Sequence, residues 1–322
     1  FVAANPEIPK PFKRYQIGQV WRGESPQAGR YREFLQADVD IVGSSSLGAD
    51  AEIVTLIYSV FTNLGIKNFL IKINSRKLLN DLPAFAGFPE KKLWDVLRII
   101  DKKDKLGEEV IRKELAKIVK KKAADKIMDE FLKSGIPSSV GLRELNDLLQ
   151  LLDAMGVEKD KRTLDFSVVR GLGYYTGPVF EAVLTKLPQR GSVAGGGRYD
   201  RLSVPFTGEK IPAVGVSFGV DRLLSALDEL GLLKKKQTVT KVLILNLLPD
   251  ARKEYLSLAK TLRAANLNTA IYLGDDRAFQ AQLTYAVKKE IPYVLIYGEN
   301  EKNKSVVTIR NLVTREQKEV PK

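Results

Sequence analysis

Cysteine and histidine are both absent from the 322 residues, and methionine and tryptophan occur only twice each. Without cysteine there are no disulfides, zinc thiolate sites or thiol nucleophiles; without histidine the usual general base and the commonest metal ligand are gone. Serine triads, papain-like sites and histidine-based metal centres are therefore excluded. Also missing are a run of about 18 apolar residues and a basic-then-apolar leader, so neither a membrane span nor a secretory signal is expected, and the expected location is cytoplasmic. The phosphate-binding order G-x-x-x-x-G-K-[ST] does not occur. The remaining chemistry must run on arginines, carboxylates, tyrosines and backbone groups, with a cation held by oxygen ligands as the one metal option.

What is present is an ordinary globular composition, 44% hydrophobic and 28% charged, in a chain long enough for two domains or one large core. Lysine and arginine number 52 against 39 acids, a net charge of +13. That excess suggests a polyanionic partner such as nucleic acid, although a basic proteome or a hot habitat gives the same balance.

Periodicity organises the chain into a sheet region at 1–75 and 160–234, interrupted at 76–159 by helices, then a linker at 235–240 and a second domain at 241–322. Residues 12–43 read as a long hairpin, "ADAEIVTLIYSVFTNLGI" as a helix ended near Gly65, and "NFLIKINS" as a strand. In the insert, "EEVIRKELAKIVKKKAADKIMDEFLKSG" and "SVGLRELNDLLQLLDAMG" have helical spacing. The lysine run in the first serves either as a solvated helix face or as a phosphate contact. After 160, "TLDFSVV", "VFEAVL" and "AVGVSFG" read as strands and "VDRLLSALDEL" as a helix. From 241 apolar strands alternate with amphipathic helices, followed by a polar turn and a closing strand pair, with no G-x-G-x-x-G after the first strand. The fold class is thus α/β, a mixed sheet with a helical insert followed by a small α/β domain.

Candidate chemistry begins at "RGESPQAGRYREFLQADVDIVG", residues 22–43. Read as a strand, positions 31–42 put Arg32, Phe34, Gln36, Asp38 and Asp40 on one face and Tyr31, Leu35, Val39 and Ile41 on the other. The polar face is either the wet side of an edge strand or a binding surface. "VVRGLGYYTGPVFE" places Arg170 at the end of an apolar strand, followed by Tyr174 and Tyr175; the tyrosines are either half-buried packing or pocket residues. In "GSVAGGGRYDRL" the glycines 195–197 mark a bulge or turn, or let a ligand lie against backbone. Arg222 opens a helix, where a cation is disfavoured unless an anion sits nearby. Arg22, Arg32, Arg170 and Arg222 come from separate elements, and a triphosphate is the simplest ligand to gather them.

These motifs resemble the histidyl-tRNA synthetase family of class II aminoacyl-tRNA synthetases across essentially the whole chain. "VWRGESPQAGRYREFLQADVDIVG" is similar to motif 2, "PAVGVSFGVDRLL" to motif 3, and the Arg170 and triple-glycine segments to the two histidine signatures. The resemblance implies a mainly antiparallel catalytic sheet and an anticodon-binding domain. It also implies adenylation of L-histidine by ATP, with Mg²⁺, and transfer to tRNA(His) by a homodimer in the full-length protein. It assigns Arg22 to the α-phosphate and the histidine carboxylate, Glu24 to adenine, Arg30 and Arg32 to the triphosphate, and Arg222 to the γ-phosphate side. Gln36 falls to the substrate amino group, Asp40 to the imidazole, Arg170 to the reacting phosphate, and Tyr174, Tyr175, Tyr199 and Gly196 to the histidine pocket. No metal ligands are assigned. Gly173 stands where the family usually has aspartate, and motif 1 has no counterpart, which implies a truncated chain. The competing reading is a non-catalytic paralogue that binds histidine or tRNA; retention of Arg22, Glu24, Arg170 and Arg222 argues against it.

Overall fold

Alternating side chains build the first sheet. The computed structural model describes residues 1–2, 4–23, 31–170, 173–233 and 238–322, and these separate into two units, Phe1–Leu232 and Leu233–Lys322. In the first unit the strands are β1 (Phe12–Trp21), β2 (Glu33–Val42), β3 (Phe69–Ser75), β4 (Arg162–Leu164), β5 (Pro178–Leu184), β6 (Ser192–Arg198) and β7 (Ala213–Gly219). They lie in the order β1-β2-β7-β6-β5-β3-β4, with every pairing antiparallel except β3 with β4.

Register fixes two faces. Asp38 pairs with Ser217, Ser217 with Gly195, and Gly195 with Glu181, so one polar row crosses four strands on a single face. The neighbouring positions Val39, Val216, Gly196 and Phe180 form a second row on the opposite face. That face is covered by the helix Leu47–Asn63, whose Ile53, Ile57 and Phe61 are buried; the Phe61 ring packs edge-on against Phe69 and Phe218. Ser46 Oγ caps this helix by accepting from Gly48 N at 3.1 Å, and Gly65, at φ 75°, turns the chain away after it.

Between β3 and β4 the described chain is helical, but the single long helix expected from residue 108 onward is broken. Helices Glu108–Ile118 and Lys121–Lys126 flank an extended Val119, and a π-turn follows at Ile127–Phe131. The reason lies in the apolar spacing. Ile111, Leu115, Val119, Ala123, Ile127 and Phe131 are all buried and each stands four residues after the last. In one uninterrupted helix such a row drifts about 40° per step, and the break and the wide turn take up the drift. The expected strand "TLDFSVV" is also shorter than its sequence suggests. Only β4 pairs; beyond it the chain turns, because the buried Asn74 amide donates to the carbonyls of Phe166 (3.2 Å) and Val168 (2.9 Å).

The second unit has strands β8 (Val242–Ile244), β9 (Thr269–Ile271), β10 (Tyr293–Ile296), β11 (Val306–Asn311) and β12 (Gln317–Pro321), ordered β12-β11-β10-β8-β9. β8 runs parallel to β9 and β10, whereas β11 is antiparallel to its neighbours. The expected helices are Arg252–Ala264 and Phe279–Lys288. A third, Glu299–Lys304, replaces the polar turn read from "EKNK". Glu301 stabilises it by accepting from Gly298 N at 3.0 Å and from Thr308 Oγ1 at 3.0 Å. Tyr255 and Leu295 lie in one core layer, Ile291 and Val294 in another.

Candidate active site

Ser217 and Gly195 of the polar row line a cleft together with Arg22, Phe34, Gln36, Arg170 and Arg222. Arg22 follows β1 directly, and its N–H donates to the Arg32 carbonyl at 2.8 Å, which extends the hairpin by one bond. Its guanidinium lies over the Phe34 ring, 4.6 Å from the centroid, and Nη2 donates to Gln36 Oε1 at 3.0 Å. Gln36 Nε2 donates in turn to Asp38 Oδ1 at 2.8 Å, and Ser217 Oγ donates to the same oxygen at 2.5 Å. The arginine, amide and acid are therefore fixed in series along β2 before any ligand arrives.

Arg170 reaches the cleft from the loop held by Asn74. Its Nε and Nη2 both donate to Glu181 Oε1, at 3.1 and 2.9 Å. The guanidinium lies flat on Gly195: a Cβ at that position would sit 2.2 Å from Arg170 Cζ. Here glycine is required by a close approach and not by a turn, since Gly195, Gly196 and Gly197 all belong to β6. Arg222 is the third residue of the helix Val220–Glu229, and its Nη1 donates to the Ser192 carbonyl at 2.5 Å. Asp221 beside it accepts from Leu35 N at 2.7 Å, taking over the ladder bond where β7 has ended.

Further along the same face, Asp40 Oδ1 accepts from the Tyr199 hydroxyl at 2.5 Å, and Arg14 Nη1 lies 3.3 Å from Oδ2. Gly215 pairs with Asp40, and a Cβ there would lie 2.1 Å from Asp40 Oδ1. Burial pushes the Asp40 carboxyl above its ordinary value, against the Tyr199 hydrogen bond and the Arg14 charge. Burial likewise raises the hydroxyls of Tyr175 and Tyr199, with the neighbouring Tyr174 and Asp40 respectively adding to the rise, so both are donors at neutral pH. Behind this group the buried Asp50 and Arg198 pair. Arg198 Nε is 3.1 Å from each Asp50 oxygen, and the guanidinium also donates to the Ser44 and Ser46 carbonyls, which ties the start of the helix Leu47–Asn63 to β6.

Of the positions singled out in the sequence, Arg22, Gln36, Arg170 and Arg222 meet in the cleft, with Asp40 and Tyr199 in contact on the same face. Tyr175 packs at a tilt of 49° against the exposed Tyr174, 4.3 Å between ring centres. Three positions are placed otherwise. Arg32 is exposed and gives its carbonyl to the hairpin. Gly196 falls on the helix-covered face, because its partners are Phe180 and Val216; the glycine facing the cleft is Gly195. Tyr31, read as packing, lines the cleft, since it lies before β2 begins and escapes that strand's alternation. Glu24 and Arg30 lie outside the described residues. Sequence reasoning missed Glu181, Arg14 and Asn74. A lone acid in the apolar "VFEAVL" was the available signal for Glu181.

A mainly antiparallel sheet with arginines from its hairpin, a signature loop and the helix after β7, followed by a separate mixed α/β unit, defines a class II aminoacyl-tRNA synthetase. The family model for histidyl-tRNA synthetase matches residues 2–223 and that for the anticodon binding domain matches residues 241–322. The histidine–tRNA ligase of Wolinella succinogenes is 41% identical over 328 residues, covering 96% of this chain and 74% of the relative. The enzyme of the same name from Paracoccus denitrificans is 40% identical, covering 95% and 70%. Among solved structures, histidyl-tRNA synthetase from Nostoc sp. PCC 7120 superimposes with a TM-score of 0.81 at 31% identity, over 99% of this chain and 78% of that one. The chain belongs to the histidyl-tRNA synthetase family.

Proposed function

We propose that this chain is an ATP-dependent histidine–tRNA ligase whose first step takes place over the row Asp38, Ser217, Gly195 and Glu181. The carrying observation is the convergence of Arg22, Arg170 and Arg222 on one cleft, with Asp40 on the same sheet face and bonded to Tyr199. The histidine carboxylate is already ionised at neutral pH, so no general base is needed, in keeping with a chain that has no histidine. One carboxylate oxygen attacks the ATP α-phosphorus in line; the new O–P bond forms as the bond to pyrophosphate breaks. Arg22 and Arg170 offset the charge that builds on the phosphoryl oxygens, and Arg222 serves the leaving-group side, a role that the resemblance alone also gives to Arg30. Glu24 is assigned to adenine on the resemblance alone.

The amino acid lies along β2. Gln36 Oε1, aimed by Arg22, accepts from the substrate amino group. Asp40 accepts from the imidazole ring, with the Tyr175 and Tyr199 hydroxyls as donors beside it. Among the described residues no three carboxylates or histidines cluster as a metal site, and Glu181 is already paired with Arg170. Mg²⁺ is proposed as the counter-ion of the ATP phosphates.

Transfer to tRNA(His) assigns residues 241–322 to the anticodon stem-loop, supported by the family match over that segment; the +13 charge of the whole chain suits a polyanionic partner. Homodimer formation is supported by Tyr15 and Ile17, apolar side chains left exposed on β1. A cytoplasmic location fits a chain in which no described helix is long and apolar enough to cross a membrane. Histidine-dependent exchange of pyrophosphate into ATP tests the reading. Exchange that requires histidine supports it, and histidine binding without exchange returns the chain to the paralogue class.

A further inference from the structure

We propose that Arg14 is a positioning residue for histidine recognition, holding Asp40 as an ionised, oriented acceptor from the edge of the sheet. Arg14 pairs directly with Asp40 across β1 and β2, so the two side chains leave the same face. Its Nη1 lies 3.3 Å from Asp40 Oδ2 while Nη2 donates to Gln16 Oε1 at 2.9 Å, a second tether that fixes the plane of the guanidinium. Tyr199 holds the other oxygen at 2.5 Å, and Gly215 leaves room for it on β7. The carboxylate is therefore gripped from both sides, and its remaining lone pairs are what it offers to a ring N–H.

Every charged or titratable group facing Asp40 bears on its ionisation. Arg14 on β1 is the cation; Asp38 on β2 opposes it; Tyr199 after β6 and Tyr175 beyond the Arg170 loop are hydroxyls with raised values that stay protonated. Burial already makes the charged form costly, so removing the Arg14 charge raises the carboxyl further. An acceptor that must be ionised then fails at a higher pH as the solution is acidified.

The proposal rests on Asp40 being the imidazole ligand, and the experiment separates the two. kcat/KM for histidine in pyrophosphate exchange is measured from about pH 4.5 to 8 for the wild type, Arg14→Gln, Arg14→Lys and Asp40→Asn. The substrate's own titration is common to all four, so only differences between profiles count. Arg14→Gln is expected to move the acid limb up by about half a unit to one unit, a three- to tenfold loss on that limb. Arg14→Lys should move it less, and KM for ATP at saturating histidine should not follow the shift. If Arg14→Gln does not fold, Arg14→Met reads the same limb. Superimposable profiles for the wild type and the Gln or Met variant overturn the role of Arg14 provided Asp40→Asn lowers kcat/KM for histidine. An unchanged Asp40→Asn overturns the underlying reading of Asp40 itself.

Discussion

Replacing Gly195 by alanine tests whether Arg170 works by position. The added Cβ would lie 2.2 Å from Arg170 Cζ, 2.3 Å from Nη1 and 2.6 Å from Nε, whereas an ordinary contact begins at 3.4 Å. The guanidinium must therefore retreat by about 1.2 Å from the floor of the cleft, and its bonds to Glu181 Oε1 must lengthen or break. A displacement of about 1 Å in a group that positions reacting atoms costs about a hundredfold in rate, or about 2.7 kcal/mol of transition-state stabilisation. The fold itself should be nearly indifferent. Crowding against the end of a half-exposed side chain costs about 1 kcal/mol, and replacing a strand glycine by alanine returns about 0.5–1 kcal/mol. The expected result is a fall in kcat for pyrophosphate exchange of about a hundredfold, with a thermal midpoint within a few degrees of the wild type. Gly196→Ala is the contrast: its Cβ would meet the Gly215 carbonyl at 1.9 Å, a clash with backbone, and should lower stability first. A Gly195→Ala protein that retains kcat within threefold would refute the positional account of Arg170.

Arg170→Lys should lower kcat for exchange about a hundredfold or more while KM for ATP moves little, because an ammonium cannot reproduce the planar fork; steady-state exchange kinetics decide it. Asp50→Asn should cost about 3 kcal/mol in urea unfolding, because it leaves Arg198 buried beside an amide, and an unchanged midpoint would show that the Ser44 and Ser46 carbonyls suffice. Removing residues 241–322 should leave exchange within a few fold and sharply weaken tRNA binding, with a shallower dependence of affinity on salt; an unchanged affinity and slope would remove that unit from the interface.

The face of β2 was readable because strand alternation is strict: once Gln36 and Asp40 are taken as partners, their common side follows, and register with β7 carries it across the sheet. The helix Leu47–Asn63 was readable for a similar reason, having a stripe of apolar residues with a polar cap before it and a glycine after it. The break at Val119 was not, because residues four apart look helical in any short window and only the accumulated drift over several turns forces an interruption. The end of β4 depended on Asn74, a residue 92 positions from Phe166 in sequence, whose side chain competes with the ladder. Arg14 and Glu181 escaped notice because their roles arise from cross-strand register and from a loop folding back over the sheet, neither of which a linear motif records. Gly196 was carried over in place of Gly195 for the same reason: three glycines in a row carry no marker of which one faces the cleft.

The most direct test is a crystal structure of the protein with a non-hydrolysable histidyl-adenylate analogue. The account predicts the imidazole within about 3 Å of the Asp40 carboxylate, the amino group at Gln36, and the α-phosphate mimic between Arg22 and Arg170. An imidazole bound away from Asp40, or a phosphate mimic contacting neither Arg22 nor Arg170, would contradict it.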